Sequence, residues 1–357
     1  MTGDDSEYYR FARRVLIAVS IVVALFALFA LLWHVSEVLL AVFAAVLFAV
    51  WLDGLALLVT ERTRIPRGWA LLIVVVVLLV GIGSFGMLAG SQVSAQLSQL
   101  GQRVPIAVQQ LKSLVDAHPW GHALLADMPA PSRWLPSAND ILGQLSGVFS
   151  TAVGALINAV IVVLIGFYLA VKPNQYVENA IRLLPKSGRR RGREVLHYLG
   201  HALRWWLVGR MAAMAVVGLL TGMALWLVGM QLVLALGLIA GLLSFVPFVG
   251  PVMAAVPAVL VAFLESPWHA LYVLGIYSVV QFAEGNFITP LIQERAVSLP
   301  PAALLTAQLL MGVLFGLFGI VLATPLAVAV IVLIQMLYVE DVLGDQVEVL
   351  GERHRAL

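Results

Sequence analysis

Three polar side chains, Gln281, Glu284 and Asn286, stand together within a long apolar stretch of the chain. A carboxylate at membrane depth is costly unless a partner or water accompanies it. Glu284 is therefore a candidate binding site for a proton or a cation; the alternative is an interfacial or capping carboxylate paired with Arg295. The amides of Gln281 and Asn286 donate and accept hydrogen bonds, which suits a polyhydroxylated solute or a partly dehydrated cation. Alternatively, they bond to unwound backbone.

The apolar sequence before this cluster is interrupted by prolines and glycines. Leu232–Leu264 would be about 50 Å long as one helix, which is too long for a single crossing of a bilayer. The interruption contains Pro247, Phe248, Gly250 and Pro251. We therefore expect a hairpin that enters the membrane and returns, or a helix broken at the midplane.

A second apolar stretch, Ala302–Tyr338, has its own interruption at Gly312, Gly316 and Gly319. The two interruptions are similar. In each, a phenylalanine stands shortly before a glycine, and small residues, valines and a proline follow. A single span, His269–Asn286, lies between them, so the two stretches would have opposite orientations. Such paired segments indicate an inverted-repeat transporter. The alternative is two unrelated glycine-rich helices that pack closely.

The repeat interpretation predicts which residues meet a solute. The freed amides and carbonyls of each hairpin tip would contact it, and the polar cluster would lie beside them. The candidate substrate and ion pathway comprises Gln281, Glu284, Asn286, Pro247, Phe248, Gly250, Pro251, Pro290, Gly316 and Gly319.

Composition identifies the class of protein. Hydrophobic residues make up 62% of the 357 residues and charged residues only 11%, against about 25% charged in soluble domains. The chain is therefore predicted to be an all-α, polytopic membrane protein. It contains no cysteine, which excludes disulfides and thiolate metal sites. The first apolar run exceeds the length of a signal peptide, and we expect it to be a retained span.

Runs of about 20 apolar residues give the expected spans. They are Val15–Trp33, Val38–Val59, Trp69–Ala89, Val148–Val171, Leu207–Val228, the interrupted Leu232–Leu264, His269–Ala283, Ala302–Phe318 and Ile320–Tyr338. Lysine and arginine cluster before the first span, between the second and third, and in residues 172–206, whereas residues 90–147 hold few. The positive-inside rule then places both termini and the 172–206 loop in the cytoplasm.

The parts of the chain divide accordingly. Residues 1–89 form a scaffold of three spans, 90–147 an extracytoplasmic amphipathic helical insert interrupted at Pro105, and 148–171 the fourth span. Residues 172–206 form a basic linker with an interfacial helix, 207–339 the transport core, and 340–357 an acidic, solvated tail. We expect Asp53 to be interfacial and Arg210 to extend to the lipid headgroups. The insert is read as a helical cap, with a gating lid as the alternative.

Several functions are disfavoured. The chain has no phosphate-binding loop of the Gly-x4-Gly-Lys-Ser/Thr type, so any driving force is an ion or solute gradient. It has neither a His-Glu-x-x-His helix nor a Gly-x-Ser-x-Gly elbow, so we expect no enzyme activity and no cofactor. The basic run Lys186–Arg193 suits membrane anchoring and lipid headgroups better than nucleic acid. A non-transporting scaffold that binds partners is the other class considered.

Short motifs carry a resemblance over nearly the full length. They are Leu52–Leu55 with Arg64–Ala70, then Pro247–Pro251, then Asn286–Pro290 with Val297, Leu299, Pro301, Gly312, Gly316, Gly319, Leu322, Ala323, Pro325 and Leu326. In this order they resemble the autoinducer-2 exporter family of bacterial permeases.

The resemblance implies an inner-membrane protein with about eight membrane segments that assembles as a homo-oligomer, plausibly a pentamer. It implies export of autoinducer-2 or another small hydrophilic solute. We expect this transport to be coupled to an ion gradient. Some members resemble Na⁺ or Li⁺/H⁺ antiporters, which is the alternative function. We expect alternating access, in which the C-terminal half moves against the first spans.

Overall fold

The computed structural model describes residues 4–117, 159–292 and 300–345, and these residues form helices and turns without a strand. The helices are α1 Asp4–Thr63, α2 Arg67–Asp116, α3 Ala159–Val171, α4 Pro173–Arg182, α5 Arg189–Leu227, α6 Val233–Leu243, α7 Val249–Glu265, α8 Pro267–Ala283, α9 Thr289–Ile292 and α10 Pro301–Ile334. Two π-helical segments, Glu284–Ile288 and Gln335–Leu343, follow α8 and α10. A 3₁₀ turn, Lys186–Gly188, precedes α5.

Within the described residues, five helices are long and apolar enough to cross a membrane. They become six if α3 and α4, which meet at a bend of 89°, count as one broken span. The expected number of about eight segments is not confirmed. The first half of the expected fourth span lies outside the described residues, and α6 and α7 are too short to cross alone.

The expected separation of the first two spans is wrong. α1 is one helix of 60 residues and passes through the polar stretch between Trp33 and Val38. His34, Ser36 and Glu37 end the apolar run there, but none of them breaks a helix as proline does. A change of polarity was therefore mistaken for a turn of the backbone.

α2 also extends further than expected. It continues without a break from the expected third span into the expected outer insert, and Pro105 lies inside it. Leu100 and Val104 of α2 pack against the cluster formed by α6, α7 and α8. The side-chain oxygen of Gln96 accepts a hydrogen bond of 3.0 Å from the amide of Ala235 in the first turn of α6. This part of α2 therefore covers the first interrupted segment.

The first predicted interruption is present in the structure. α6 ends at Leu243, α7 begins at Val249, and Phe248 between them has a φ of 63°. A Cβ atom on Gly250 would overlap the carbonyl group of Leu243. In a continuous helix these two residues would be about 10 Å apart, so the chain doubles back here.

The second interruption has the same construction. Gly316 adopts φ 60° and ψ −146°, which bends α10 sharply. A Cβ atom on Gly319 would overlap the carbonyl group of Met311, although about 12 Å would separate the two in a straight helix. Each interruption therefore ends with a glycine packed against the carbonyl of the preceding arm, and each is followed by a proline inside a helix, Pro257 or Pro325.

α5 is the centre of the packing and contacts α1, α4, α6, α8, α9 and α10. It crosses α6 at four glycines. A Cβ on Gly218 would lie 3.1 Å from the carbonyl oxygen of Gly237, and one on Gly241 would lie 3.1 Å from the Cα of Gly218. Gly222 also faces Gly237, so the two helices run antiparallel. Both carry a small-x-x-x-small pattern typical of close helix pairs in membranes, a signal that the sequence analysis did not use.

Candidate functional site

A buried ion pair lies at the first interruption. The Nη1 of Arg210 donates to the Oε1 of Glu284 over 3.0 Å, although 74 residues separate them in sequence. Each residue is only 3% exposed. α5 supplies the arginine, and the first turn of the π segment Glu284–Ile288 supplies the carboxylate. The pair thus joins the central helix to the segment after α8.

Arg210 also holds the backbone of the interruption. Its Nε donates to the carbonyl oxygen of Phe245 over 3.2 Å. The ring of Phe245 packs edge-on against Trp206, one turn earlier on α5, with 5.8 Å between the ring centroids. The expectation that Arg210 reaches the lipid headgroups is therefore wrong, because a buried carboxylate and a freed carbonyl bind its guanidinium inside the protein.

One polar atom of each side chain in the ion pair has no hydrogen-bond partner among the described residues. The Nη2 of Arg210 and the Oε2 of Glu284 are both buried and have no partner in the protein. Unpaired buried groups are uncommon, and in native proteins they commonly contact water or ions. This site therefore offers one donor and one acceptor to a bound species.

Gln308 contacts the same interruption from α10. It lies in the part of α10 before Gly316 and is 3% exposed. Its Nε2 donates to the carbonyl oxygen of Pro247 over 3.0 Å. The sequence analysis missed Gln308 and the role of Arg210. A buried amide or guanidinium inside an apolar span was the available signal for both.

The three residues of the predicted polar cluster have separate surroundings. Glu284 is buried, Gln281 is half-buried and Asn286 is exposed. The Nδ2 of Asn286 donates to the carbonyl oxygen of Phe282 over 2.9 Å, four residues earlier and inside α8. Arg295, the partner of Glu284 in the alternative role, lies outside the described residues. The backbone of Pro290 lies in α9.

A cleft of about 370 Å³ lies between the two interruptions. Phe245, Val246, Val249 and Gly250 line it from the first. Leu317, Ile320 and Val321 line it from the second, and Met214 of α5 completes one side. Of the predicted pathway residues, Gly250 lines this cleft, whereas Phe248, Pro251, Gly316 and Gly319 flank it in sequence.

A second arginine of α5 anchors the first two helices. Asp53 of α1 accepts hydrogen bonds from Arg67, at the start of α2, and from Arg204 of α5, the latter over 2.7 Å. A Cβ on Gly54 would lie 2.9 Å from the Cγ of Arg204, so glycine gives this side chain room to pass. Asp53 therefore fastens α1 to α2 and to α5.

A third arginine of α5 holds the C-terminal segment. Arg191 contacts Glu340 over 2.8 Å and Asp341 over 3.0 Å, and it also donates to the carbonyl oxygen of Met336. Both acids keep about two-fifths of their side-chain surface exposed, so they are solvated as expected, and they also pair with Arg191. Both π segments therefore carry a carboxylate that pairs with an arginine of α5.

Comparison with known proteins gives one consistent result. The sequence model of the AI-2E transporter family matches residues 19–338 of this chain. YrrI of Bacillus subtilis, a candidate transport protein, is 30% identical over 300 residues, which cover 81% of this chain and 84% of YrrI. YueF of the same organism is 24% identical over 274 residues, or 73% of this chain and 74% of YueF. The AI-2 transport protein TqsA of Escherichia coli is 23% identical over 301 residues, or 83% and 85% of the two chains.

Proposed function

This chain belongs to the AI-2E transporter family, and from that premise we propose that it moves a small hydrophilic solute through the cleft between its two interrupted segments. Membership and the apolar helices make it a multi-pass membrane transport protein. The scaffold alternative lacks comparable support, since the relatives are named for transport.

The buried Arg210–Glu284 pair is the observation that carries the proposal. Removing two charges from water is expensive, and a well-packed apolar pair of similar volume is often equally stable. A pair of this kind is therefore a poor stabilising device. Its position at a backbone interruption, with a free donor and a free acceptor, suits an ion or solute site.

We propose that Glu284 couples transport to an ion gradient. Binding of H⁺, Na⁺ or Li⁺ by the carboxylate would weaken its attraction to Arg210. Arg210 also holds the Phe245 carbonyl, so a change in the pair would reach the first interruption directly. The resulting motion of the C-terminal half against α1 and α2 would expose the cleft alternately to the two sides of the membrane.

The proposed solute is autoinducer-2 or a molecule of similar size and polarity, and the proposed direction is export. TqsA is named as an AI-2 transport protein, and the cleft volume of about 370 Å³ falls in the range of small-molecule sites. The side chains that line the cleft are apolar, so we propose that the groups that bind solute hydroxyls are the Nη2 of Arg210 and the Oε2 of Glu284, which have no partner among the described residues and lie at the first interruption. Gln281 and Asn286 remain candidate contacts from the sequence.

Counterflow in proteoliposomes tests this proposal. Purified protein is reconstituted with autoinducer-2, and uptake is measured with and without Na⁺, Li⁺ or pH gradients. We expect Glu284→Gln to insert normally and to lose its response to the gradient. Glu265→Gln is the matched control, because Glu265 ends α7 as an exposed residue.

Normal gradient dependence in a folded Glu284→Gln protein would remove this carboxylate from the coupling mechanism. Solute-independent exchange of Na⁺ or Li⁺ for H⁺ would instead favour the antiporter alternative. Absence of any flux would contradict the transport proposal for these solutes.

We also propose a homo-oligomer, plausibly a pentamer, in the inner membrane. The family resemblance suggests it, and α2 offers an apolar surface, on which Leu79, Val80, Ile82, Met87 and Leu88 are exposed. Native mass spectrometry from detergent would give the number of copies. A monomer under all detergent conditions would contradict it.

We propose that the C-terminus lies in the cytoplasm. The expectation that the N-terminus lies there too does not agree with α1 as one unbroken helix, because the two ends of a helix that crosses the membrane once lie on opposite sides. Arg62 lies in the last turn of α1, Arg64 lies in the turn after it, and Arg67 begins α2. Arg189–Arg193 begin α5. These arginines would place both regions on the cytoplasmic side. C-terminal fusions to alkaline phosphatase and to a fluorescent protein would test the tail. An active phosphatase fusion would overturn this assignment.

A further inference from the structure

We propose that Gln308 locks the two interrupted segments to each other, as a positioning residue for the transport cycle. Only the effect of this role on transport depends on the proposed function. The interlock itself is a statement about geometry and can be measured without any solute.

The hydrogen bond of Gln308 joins two segments that are distant in sequence. Gln308 belongs to the first arm of α10, and Pro247 lies in the interruption between α6 and α7, 61 residues earlier. The carbonyl oxygen of Pro247 also accepts a bond of 2.7 Å from the amide of Val249. The two donors together satisfy both lone pairs of an oxygen that the interrupted helix leaves free.

The first interruption is held from two directions. The guanidinium of Arg210 on α5 binds the Phe245 carbonyl, and the amide of Gln308 on α10 binds the Pro247 carbonyl, two residues later. The interruption therefore cannot rotate away from α5 and α10 without breaking one of these bonds. Displacement that starts at the Arg210–Glu284 pair would be passed to α10 through Pro247 and Gln308.

A purely structural role for Gln308 is the competing explanation, and the burial of its other amide atom disfavours it. The Oε1 of Gln308 is buried and has no partner in the protein. A methionine would fill nearly the same volume without burying an unpaired acceptor. The presence of glutamine is explained if its hydrogen bond to Pro247 is needed to hold the two interrupted segments together.

The absence of cysteine from the sequence permits a direct distance measurement. Val252→Cys and Val313→Cys place spin labels at exposed positions beside the first and second interruptions, and neither residue lines the cleft. Pulsed electron paramagnetic resonance then reports the distance between the two segments. This measurement uses the full chain in nanodiscs, before and after Na⁺ or Li⁺ is added.

In the parent protein we expect one main distance. Gln308→Met should add a second, and the ratio of the two populations should change about tenfold, as expected for the loss of one buried hydrogen bond. Thr306→Val is the matched control on the same helix, because the hydroxyl of exposed Thr306 bonds only to its own helix at Ala302. Gln308→Leu, which likewise cannot donate to the Pro247 carbonyl, provides the same test if the methionine variant does not fold.

A distance distribution in Gln308→Met equal to that of the parent and of Thr306→Val would overturn the interlock. If the distances respond as expected but no solute moves in counterflow, the transport proposal fails while the interlock stands. If transport is present, Gln308→Met should reduce its maximal rate at least fivefold more than Thr306→Val does, with little change in half-saturation.

Discussion

Arg210 and Glu284 meet inside the protein, 3.0 Å apart, at the point where the chain between α6 and α7 leaves its helical path. Neither side chain reaches solvent or lipid to a useful extent, because their exposures are 4% and 5%. The arginine is shared between a carboxylate and a freed carbonyl. Arg210 therefore connects the buried carboxylate and the interrupted backbone to helix α5.

Removing one member of this pair should be far more damaging than replacing both. Glu284→Ala leaves the Arg210 charge buried and unpaired, and we expect a loss of about 3–5 kcal/mol in the free energy of unfolding. The double variant Arg210→Met with Glu284→Leu should regain most of it and remain inactive in counterflow. Reversible unfolding in mixed micelles measures the first effect. Equal stability of the single and double variants would contradict the buried-pair interpretation.

The α5–α6 crossing should tolerate no larger side chain. In Gly237→Val the new Cβ would lie 3.0 Å from the Gly218 carbonyl oxygen, so the helices must separate, at about 1–3 kcal/mol. Gly275→Val is the control, since Gly275 is exposed and a Cβ there meets nothing within 4 Å. Thermal unfolding in detergent compares the two. A similar small shift for both would mean that the glycine contacts are not close.

Gly316 and Gly319 should both resist substitution, for different reasons. Gly316 has open space around it but a backbone conformation that is essentially restricted to glycine, so Gly316→Ala should cost about 1–3 kcal/mol. Gly319→Ala inserts a methyl group against the Met311 carbonyl. Gly312→Ala should be milder, because it meets only the flexible side chain of Ile320. Unfolding midpoints of the three variants check this order.

Asp53 should be required for the attachment of α1 to α5. Asp53→Asn removes the charge from two partly exposed ion pairs with Arg67 and Arg204, and we expect a loss of about 1–2 kcal/mol, reduced by solvent screening. Glu61→Gln, at an exposed position near the end of α1, should have little effect. Protease sensitivity of the turn between α1 and α2 is the measurement. Equal cleavage rates would show that these pairs do not hold the helices together.

Arg191 should control the order of the C-terminal π segment. Arg191→Gln removes its contacts with Glu340 and Asp341 and with the Met336 carbonyl. Amides of Gln335–Leu343 should then exchange with deuterium about tenfold faster, whereas Arg190→Gln, at an exposed neighbour, should not change them. High salt should partly reproduce the effect in the parent protein. Unchanged exchange in Arg191→Gln would assign the order of this segment to packing alone.

Composition and apolar run length were sufficient to predict an all-helical membrane protein, because only helices or closed barrels satisfy backbone groups in lipid. Both interruptions were also predictable, because proline, and glycine with a positive φ, have local backbone consequences. The ends of helices were less predictable. The stretch between Trp33 and Val38 and the region around Pro105 remain helical, since polarity alone does not turn a chain.

The sequence alone therefore determined the class of protein, the family motifs and the two interruptions in the C-terminal half, all of which depend on residues close together along the chain. Only the tertiary structure decided that Glu284 pairs with Arg210, that Gln308 binds the Pro247 carbonyl and that Arg191 holds the tail acids. Each of these contacts joins residues that are far apart in sequence. Their meeting depends on how α5 crosses its neighbours, and no local pattern of residue types specifies that crossing.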